Sequence, residues 1–194
     1  MSRPDAASRQ ARADELVTLL AGRPLVLVGM MGVGKTTVGR RLANRLGRNF
    51  LDSDEEIERA AQMTIPEIFA QRGEPEFRSG ETRVIARVLK NSDIVLATGG
   101  GAFVNADTRA LLKTEAISIW LKADADVLFE RVSRRSNRPL LKTANPRATL
   151  EKLIEERYPI YAEADLTVAS REVPQEVVAG DVIDAVLRYL KRKT

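Results

Sequence analysis

The chain has 194 residues, 44% of them hydrophobic and 30% charged, which suits one compact unit at roughly 150 residues per domain and excludes a disordered chain, a collagenous rod and a coiled coil. It contains neither cysteine nor histidine, so disulfides, thiol chemistry, a Ser-His-Asp triad, a histidine proton shuttle and cysteine- or histidine-ligated zinc are all removed, leaving carboxylates, Lys, Arg, backbone dipoles and a hard metal. Thirty-one Lys and Arg against 27 Asp and Glu give a net charge of +4, which favours anionic partners and leaves nucleic acid, nucleotide phosphates and a carboxylate substrate open.

The first dozen residues are polar and alanine-rich, and Leu16, Leu19 and Leu20 then recur at helical spacing before Gly22-Arg23-Pro24 breaks the pattern. Residues 1–22 are expected to form an N-terminal extension with a short amphipathic helix packed loosely on the rest. No apolar run approaches the roughly 20 residues that span a bilayer, and the N-terminal stretch has no uninterrupted apolar segment of the signal-peptide kind, so a cytoplasmic location away from membranes is expected.

Leu25-Val26-Leu27-Val28 is a continuous apolar run ending at Gly29, the pattern of a strand buried on both faces. A helix is expected from Lys35 to Leu46, stopped by Gly47, followed by a weaker strand at Asn49-Phe50-Leu51. Thr64 with Glu67 three residues on and Pro66 between them predicts a capped helix ending near Gly73, with a second helix from Glu74 to Lys90. Strands are expected at Ile94–Ala97, Ile117–Leu121 and Leu166–Val168, and helices at Asp124–Arg134, Pro146–Arg157 with Asn145 as cap, and Gln175–Arg192. Strands alternating with helices predict an α/β fold with a parallel sheet covered on both faces, whose ligands bind beyond the carboxyl ends of the strands.

Gly29-Met30-Met31-Gly32-Val33-Gly34-Lys35-Thr36 satisfies G-x-x-x-x-G-K-[ST] between a strand and a helix, the context a phosphate-binding loop requires. Its backbone N–H groups would turn inward around a polyphosphate, Lys35 would reach the β and γ phosphates, and the Thr36 hydroxyl would ligate Mg²⁺. Asp52-Ser53-Asp54 follows the second strand, where one carboxylate could serve a hydrated Mg²⁺ and the other a substrate hydroxyl, or both could simply complement a helix dipole. Gly99-Gly100-Gly101 marks either a tight turn or a place where something approaches the main chain closely. Arg131, Arg134, Arg135 and Arg138 form either a solvated charged face or an arginine-rich lid that closes over a nucleotide. Nucleic-acid binding is disfavoured by an aromatic content of 5%, too few rings for stacking platforms among the basic residues. Arg78 and Arg157 could each anchor a carboxylate bidentately or form a helix-surface ion pair, and Phe69 or Phe77 could pack on a carbon ring.

In this order, the segments from Pro24 to Tyr161 resemble the shikimate kinase family, within the nucleoside-monophosphate-kinase-like group of P-loop folds. The resemblance implies a single P-loop domain over residues 23–194: a three-layer fold on a five-stranded parallel sheet, a substrate-binding region near 53–80, and a lid near 131–146. It implies a monomer that uses MgATP to phosphorylate the 3-hydroxyl of shikimate. Gly32, Val33, Gly34, Lys35, Thr36 and Thr37 would hold the phosphates, Thr36 and Asp52 the metal, and Arg134 and Arg138 would bring adenine and phosphate contacts from the lid. Asp54 would orient the attacking hydroxyl, and Arg78, Gly100, Gly101 and Arg157 would bind shikimate. The family's catalytic set maps onto Lys35, Asp54 and Arg138. Gluconate kinase is the nearest rival; a nucleic-acid-associated ATPase and a silent kinase-like binding module are rivals of other classes.

Overall fold

The computed structural model describes residues 6–133 and 145–192, so Arg134, Arg138 and most of the expected lid lie outside the described residues. In chain order the elements are α1 (Ala6–Leu20), β1 (Leu25–Val28), α2 (Lys35–Leu46), β2 (Asn49–Asp52), α3 (Ser53–Ala61), α4 (Ile65–Val88), β3 (Ile94–Ala97), a 3-10 turn (Ala102–Val104), α5 (Ala106–Glu115), β4 (Ile117–Lys122), α6 (Ala125–Ser133), α7 (Pro146–Tyr161), β5 (Leu166–Ala169) and α8 (Gln175–Lys191).

The five strands form one parallel sheet in the order β2-β3-β1-β4-β5. The inner strands β1 and β3 are buried at every residue and β4 at all but its last, because helices cover both faces and leave no polar side for alternation. Leu25 lies level with Val95 on one side and Ile117 on the other, so the chain reverses its direction of winding at β1. That reversal opens a crevice at the carboxyl ends of the strands. Gly29, Ser53 and Thr98 are the residues that follow β1, β2 and β3, and all fall on this rim.

Local signals explain the helix ends. Thr64 accepts from the Glu67 backbone N–H while the Glu67 carboxylate accepts from the Thr64 N–H, the reciprocal cap expected from the spacing. The two helices expected on either side of Gly73 run on as α4 across a kink, where Gly73 alone leaves helical geometry at φ 75°. α5, which was not expected, is capped by the Asn105 side chain accepting from the N–H groups of Asp107 and Thr108. α7 continues past Arg157 to Tyr161 and carries Pro159 within its last turn, so that the chain there lacks one i to i−4 hydrogen bond.

The main core takes in all five strands together with α1, α2 and α8, while Ile57, Ile68 and Phe77 form a second small cluster between α3 and α4. The N-terminal extension does not pack loosely. Ala13, Leu16 and Leu20 recur on one face of α1 and are buried in the main core, and Arg12 pairs with Asp184 of α8 at 2.6 Å. Leu16 is 0% exposed. Leu16→Ala is expected to lower the unfolding free energy by about 2–4 kcal/mol; urea titration checks this, and a loss below about 0.5 kcal/mol would mean that α1 does not hold to the domain in solution.

Candidate functional site

The loop between β1 and α2 turns on positive φ angles at Gly29, Gly32 and Gly34, conformations side chains rarely adopt. Lys35, the first residue of α2, folds back across it and donates from Nζ to the carbonyls of Gly29 at 2.8 Å and Met30 at 2.9 Å. Its ammonium is thus poised over the concave side of the loop with the helix N-terminus behind it, a ready anion cradle. At the next residue, the Thr36 hydroxyl donates to Asp52 Oδ2 at 3.0 Å. The other oxygen of Asp52 accepts from the Asp54 N–H at 3.1 Å and so caps α3. The helix-terminus reading of the Asp-Ser-Asp cluster is thus realised by one oxygen of Asp52, while its other oxygen meets the Thr36 hydroxyl.

The triple glycine passes between charged side chains that crowd its first and third members. A Cβ on Gly99 would lie 2.7 Å from Asp54 Oδ1 and 3.2 Å from Glu81 Oε1, and one on Gly101 would lie 2.5 Å from an Arg78 nitrogen. The Ser53 hydroxyl, fully buried, accepts from the Gly99 N–H at 2.9 Å and fixes the loop's entry. Arg78 donates to Glu81 at 2.7 Å and to Glu74 at 3.3 Å, and its guanidinium lies 5.1 Å from the Phe77 ring.

Glu81 is a site residue the sequence reading missed. It is 1% exposed, one turn beyond Arg78 on α4, and faces Gly99 and Asp54. Burial pushes its carboxyl above the ordinary range; Arg78 pulls it down, while Asp54 and Glu74 add to the rise. Burial opposes the charge of Arg78 too, but Glu81 and Glu74 outweigh it and hold the guanidinium pKa above its usual value. The signal was in the sequence as an i, i+3 Arg-Glu pair, a spacing shared by many surface pairs.

Arg157 behaves differently from Arg78. Its Nη1 reaches the Gly100 carbonyl over a long 3.4 Å, its guanidinium also bonds the Tyr161 hydroxyl, and among the described residues no carboxylate pairs with it. Arg131 lies at the end of α6 and donates to the Val33 carbonyl at 3.3 Å, to the Ser170 hydroxyl at 2.9 Å and to the Arg171 carbonyl at 2.8 Å. It joins the phosphate loop to the turn after β5. Phe77 is buried against Phe69, ring centroids 4.4 Å apart, inside the small cluster.

These groups line two adjoining cavities. One of about 480 Å³ contains Gly32, Gly34, Lys35, Thr36, Thr37, Asp52, Asp54, Gly100 and Arg131. The other, about 370 Å³, is bounded by Arg78, Gly101 and Arg157. Val33 is buried behind the loop and contributes its backbone rather than a side chain. The arrangement sets a polyphosphate cradle beside a carboxylate, Asp54, and a two-arginine anion site, joined by the glycine triplet.

The shikimate kinase family model matches residues 31–187. A shikimate kinase from Rhodopseudomonas palustris is 57% identical over 185 residues, which is 95% of this chain and 91% of that protein. One from Rhizobium leguminosarum bv. trifolii is 53% identical over 191 residues, 98% of this chain and 97% of the relative. Among solved structures, shikimate kinase from Acinetobacter baumannii in complex with shikimate superposes with a TM-score of 0.83 at 40% identity, covering 89% of this chain and 97% of that one. A gluconokinase from Sinorhizobium meliloti 1021 matches with a TM-score of 0.60 at 15% identity over 89% of this chain and 95% of the other, a likeness of fold alone.

The raised Glu81 pKa means that the folded chain holds a proton there more tightly than the unfolded chain. Its stabilising contribution is full below the ordinary value of 4.5 and is lost as pH rises through the folded value. Glu81→Gln removes that dependence. The melting temperature of Glu81→Gln minus that of the parent is therefore expected to grow as pH is raised from about 4.5 upward; a difference that stays constant or shrinks in thermal melts would contradict it.

Proposed function

This chain belongs to the shikimate kinase family, and we propose that it transfers the terminal phosphoryl group of ATP to the 3-hydroxyl of shikimate, giving shikimate 3-phosphate and ADP on the route to chorismate and the aromatic amino acids. The observation that carries this reading is the placement of the Arg78–Arg157 cavity directly across the glycine triplet from the Lys35 loop. A phosphate donor and a small hydroxylated carboxylate would be held there on opposite sides of Asp54.

Asp54 would orient the attacking hydroxyl and accept its proton while the oxygen bonds to phosphorus and the bond to the ADP oxygen breaks. Such transfer proceeds through a loose transition state, so positioning and charge matter more than base strength, and the lack of histidine is no obstacle. Lys35 would release the two loop carbonyls it now holds and follow the charge on the transferring group. Gly32, Val33, Gly34, Thr36 and Thr37 would hold the phosphates through loop N–H groups and hydroxyls. Arg134 and Arg138, outside the described residues, would act from the lid on adenine and phosphate.

Thr36 and Asp52 fit Mg²⁺: a hydroxyl and a carboxylate oxygen 3.0 Å apart beside the cradle are hard donors, and this ion takes few protein ligands when phosphates and waters supply the rest. When bound it neutralises charge on the β and γ phosphates. Arg78 and Arg157 would grip the shikimate carboxylate, with Gly100 and Gly101 bringing backbone close to the ring. We take the protein to act as a cytoplasmic monomer without nucleic-acid or membrane partners; among the described residues no helix is long and apolar enough to cross a membrane.

ADP release with MgATP is expected to rise sharply with shikimate and not with gluconate or a nucleoside monophosphate; equal stimulation by gluconate would redirect the assignment. Asp54→Asn is expected to lower turnover by at least about a hundredfold, with nucleotide affinity held within about threefold, a loss of roughly 0.6 kcal/mol or less. Near-normal turnover in that variant would remove Asp54 from the reaction.

A further inference from the structure

We propose that Tyr161 is a positioning residue for the acceptor: its hydroxyl holds the Gly100 carbonyl and so leaves the Arg157 guanidinium aligned for the acceptor's carboxylate. This rests on the reading of Arg157 as a carboxylate anchor.

Arg157 and Tyr161 are four residues apart on α7, hence on one face in successive turns. Both reach the same backbone oxygen. The Tyr161 hydroxyl donates to the Gly100 carbonyl, and Arg157 Nη1 approaches that oxygen at 3.4 Å. A carbonyl has two lone pairs, and a buried one demands at least one good donor. Tyr161 supplies it. The contact with Arg157 is accordingly long; the guanidinium also reaches the Tyr161 hydroxyl, which steadies it, and its remaining N–H donors are left for a ligand.

Tyr161 is built to be a fixed donor. It is 0% exposed, its ring packs against Phe103 and Trp120 with centroids 6.3 and 6.0 Å away, and its hydroxyl lies 3.9 Å from Met30 Sδ. Burial pushes the phenol up to about 12, with Arg157 pulling the other way. The hydroxyl therefore stays protonated at any working pH. Without it, the Gly100 carbonyl would retain only Arg157 as a nearby donor among the described residues, and the guanidinium would be drawn onto backbone and away from the cavity it shares with Arg78 and Gly101.

The test compares the parent chain, Tyr161→Phe, Arg157→Gln and the double variant, measuring the KM for shikimate, the KM for ATP, kcat and the melting temperature. Tyr161→Phe is expected to raise the shikimate KM about tenfold while the ATP KM stays within about twofold. In the Arg157→Gln background the same change is expected to move the shikimate KM less than about twofold, because a residue acting through another is silent once that other is gone. Placing 4-aminophenylalanine at position 161 keeps a donor at the ring's end and is expected to restore a near-parental KM.

An unchanged shikimate KM in Tyr161→Phe, an equal rise in both KM values, or the same factor in both backgrounds would each overturn the assignment and leave Tyr161 as ordinary core. So would a Tyr161→Phe chain that does not fold. A parent chain that turns over no shikimate overturns the functional reading first and this assignment with it; a parent that does, beside an unaffected variant, overturns this assignment alone.

Discussion

The glycine triplet after β3 is threaded between charges that crowd Gly99 and Gly101. Asp54 and Glu81 crowd Gly99, the Arg78 guanidinium lies across Gly101, and Arg157 with Tyr161 claims the carbonyl between them. Any Cβ at Gly99 or Gly101 would push one of these groups aside. The backbone here does what side chains do in many sites: it sets the spacing between an acid, a buried carboxylate and two cations. Such an arrangement trades chain entropy for close approach, a cost of roughly 0.5–1 kcal/mol per glycine relative to alanine.

The sheet determines where that happens. Because β1 lies between β3 and β4, the phosphate loop and the triplet leave adjacent strands on the same rim, and β2 delivers Asp52 and Asp54 beside them. Thr98 ties the two loops together, its N–H and hydroxyl both bonding the Leu27 carbonyl, at 3.1 and 3.0 Å. Nucleotide and acceptor chemistry thus meet at one crossing point rather than across a flexible interface.

What was legible in the sequence was what is contiguous. The phosphate loop, the Asp-Ser-Asp cluster and the triplet each carry their meaning within a few residues and directly follow a recognisable strand. Glu81 carries no such mark: a glutamate in a helix is ordinary until the fold turns that face of α4 toward Gly99 and Asp54. The docking of α1 was hidden for a related reason, since Ala13, Leu16 and Leu20 find their purpose against α2 and against α8, the latter more than a hundred and fifty residues later. Arg78 and Arg157 looked equivalent in the sequence, and the structure separates them. Arg78 is compensated by two glutamates, whereas Arg157 faces the cavity with a backbone carbonyl as its neighbour.

That asymmetry bears on how two arginines can share one anionic ligand. A guanidinium already paired with Glu81 is held in place before any ligand arrives, and the pair's formal charges cancel, so it contributes geometry more than attraction. A guanidinium without a carboxylate supplies the uncompensated charge that draws an anion in, at the cost of being less firmly placed. Tyr161 and the Gly100 carbonyl answer that weakness from behind, and Glu81 holds Arg78 from the side. On the proposed reading, one arginine would fix the orientation and the other the attraction, Arg78 anchored by its glutamates and Arg157 against the Gly100 carbonyl. A carboxylate seated between them would have its ring set against the triplet, on the side from which Asp54 and the Lys35 loop are reached.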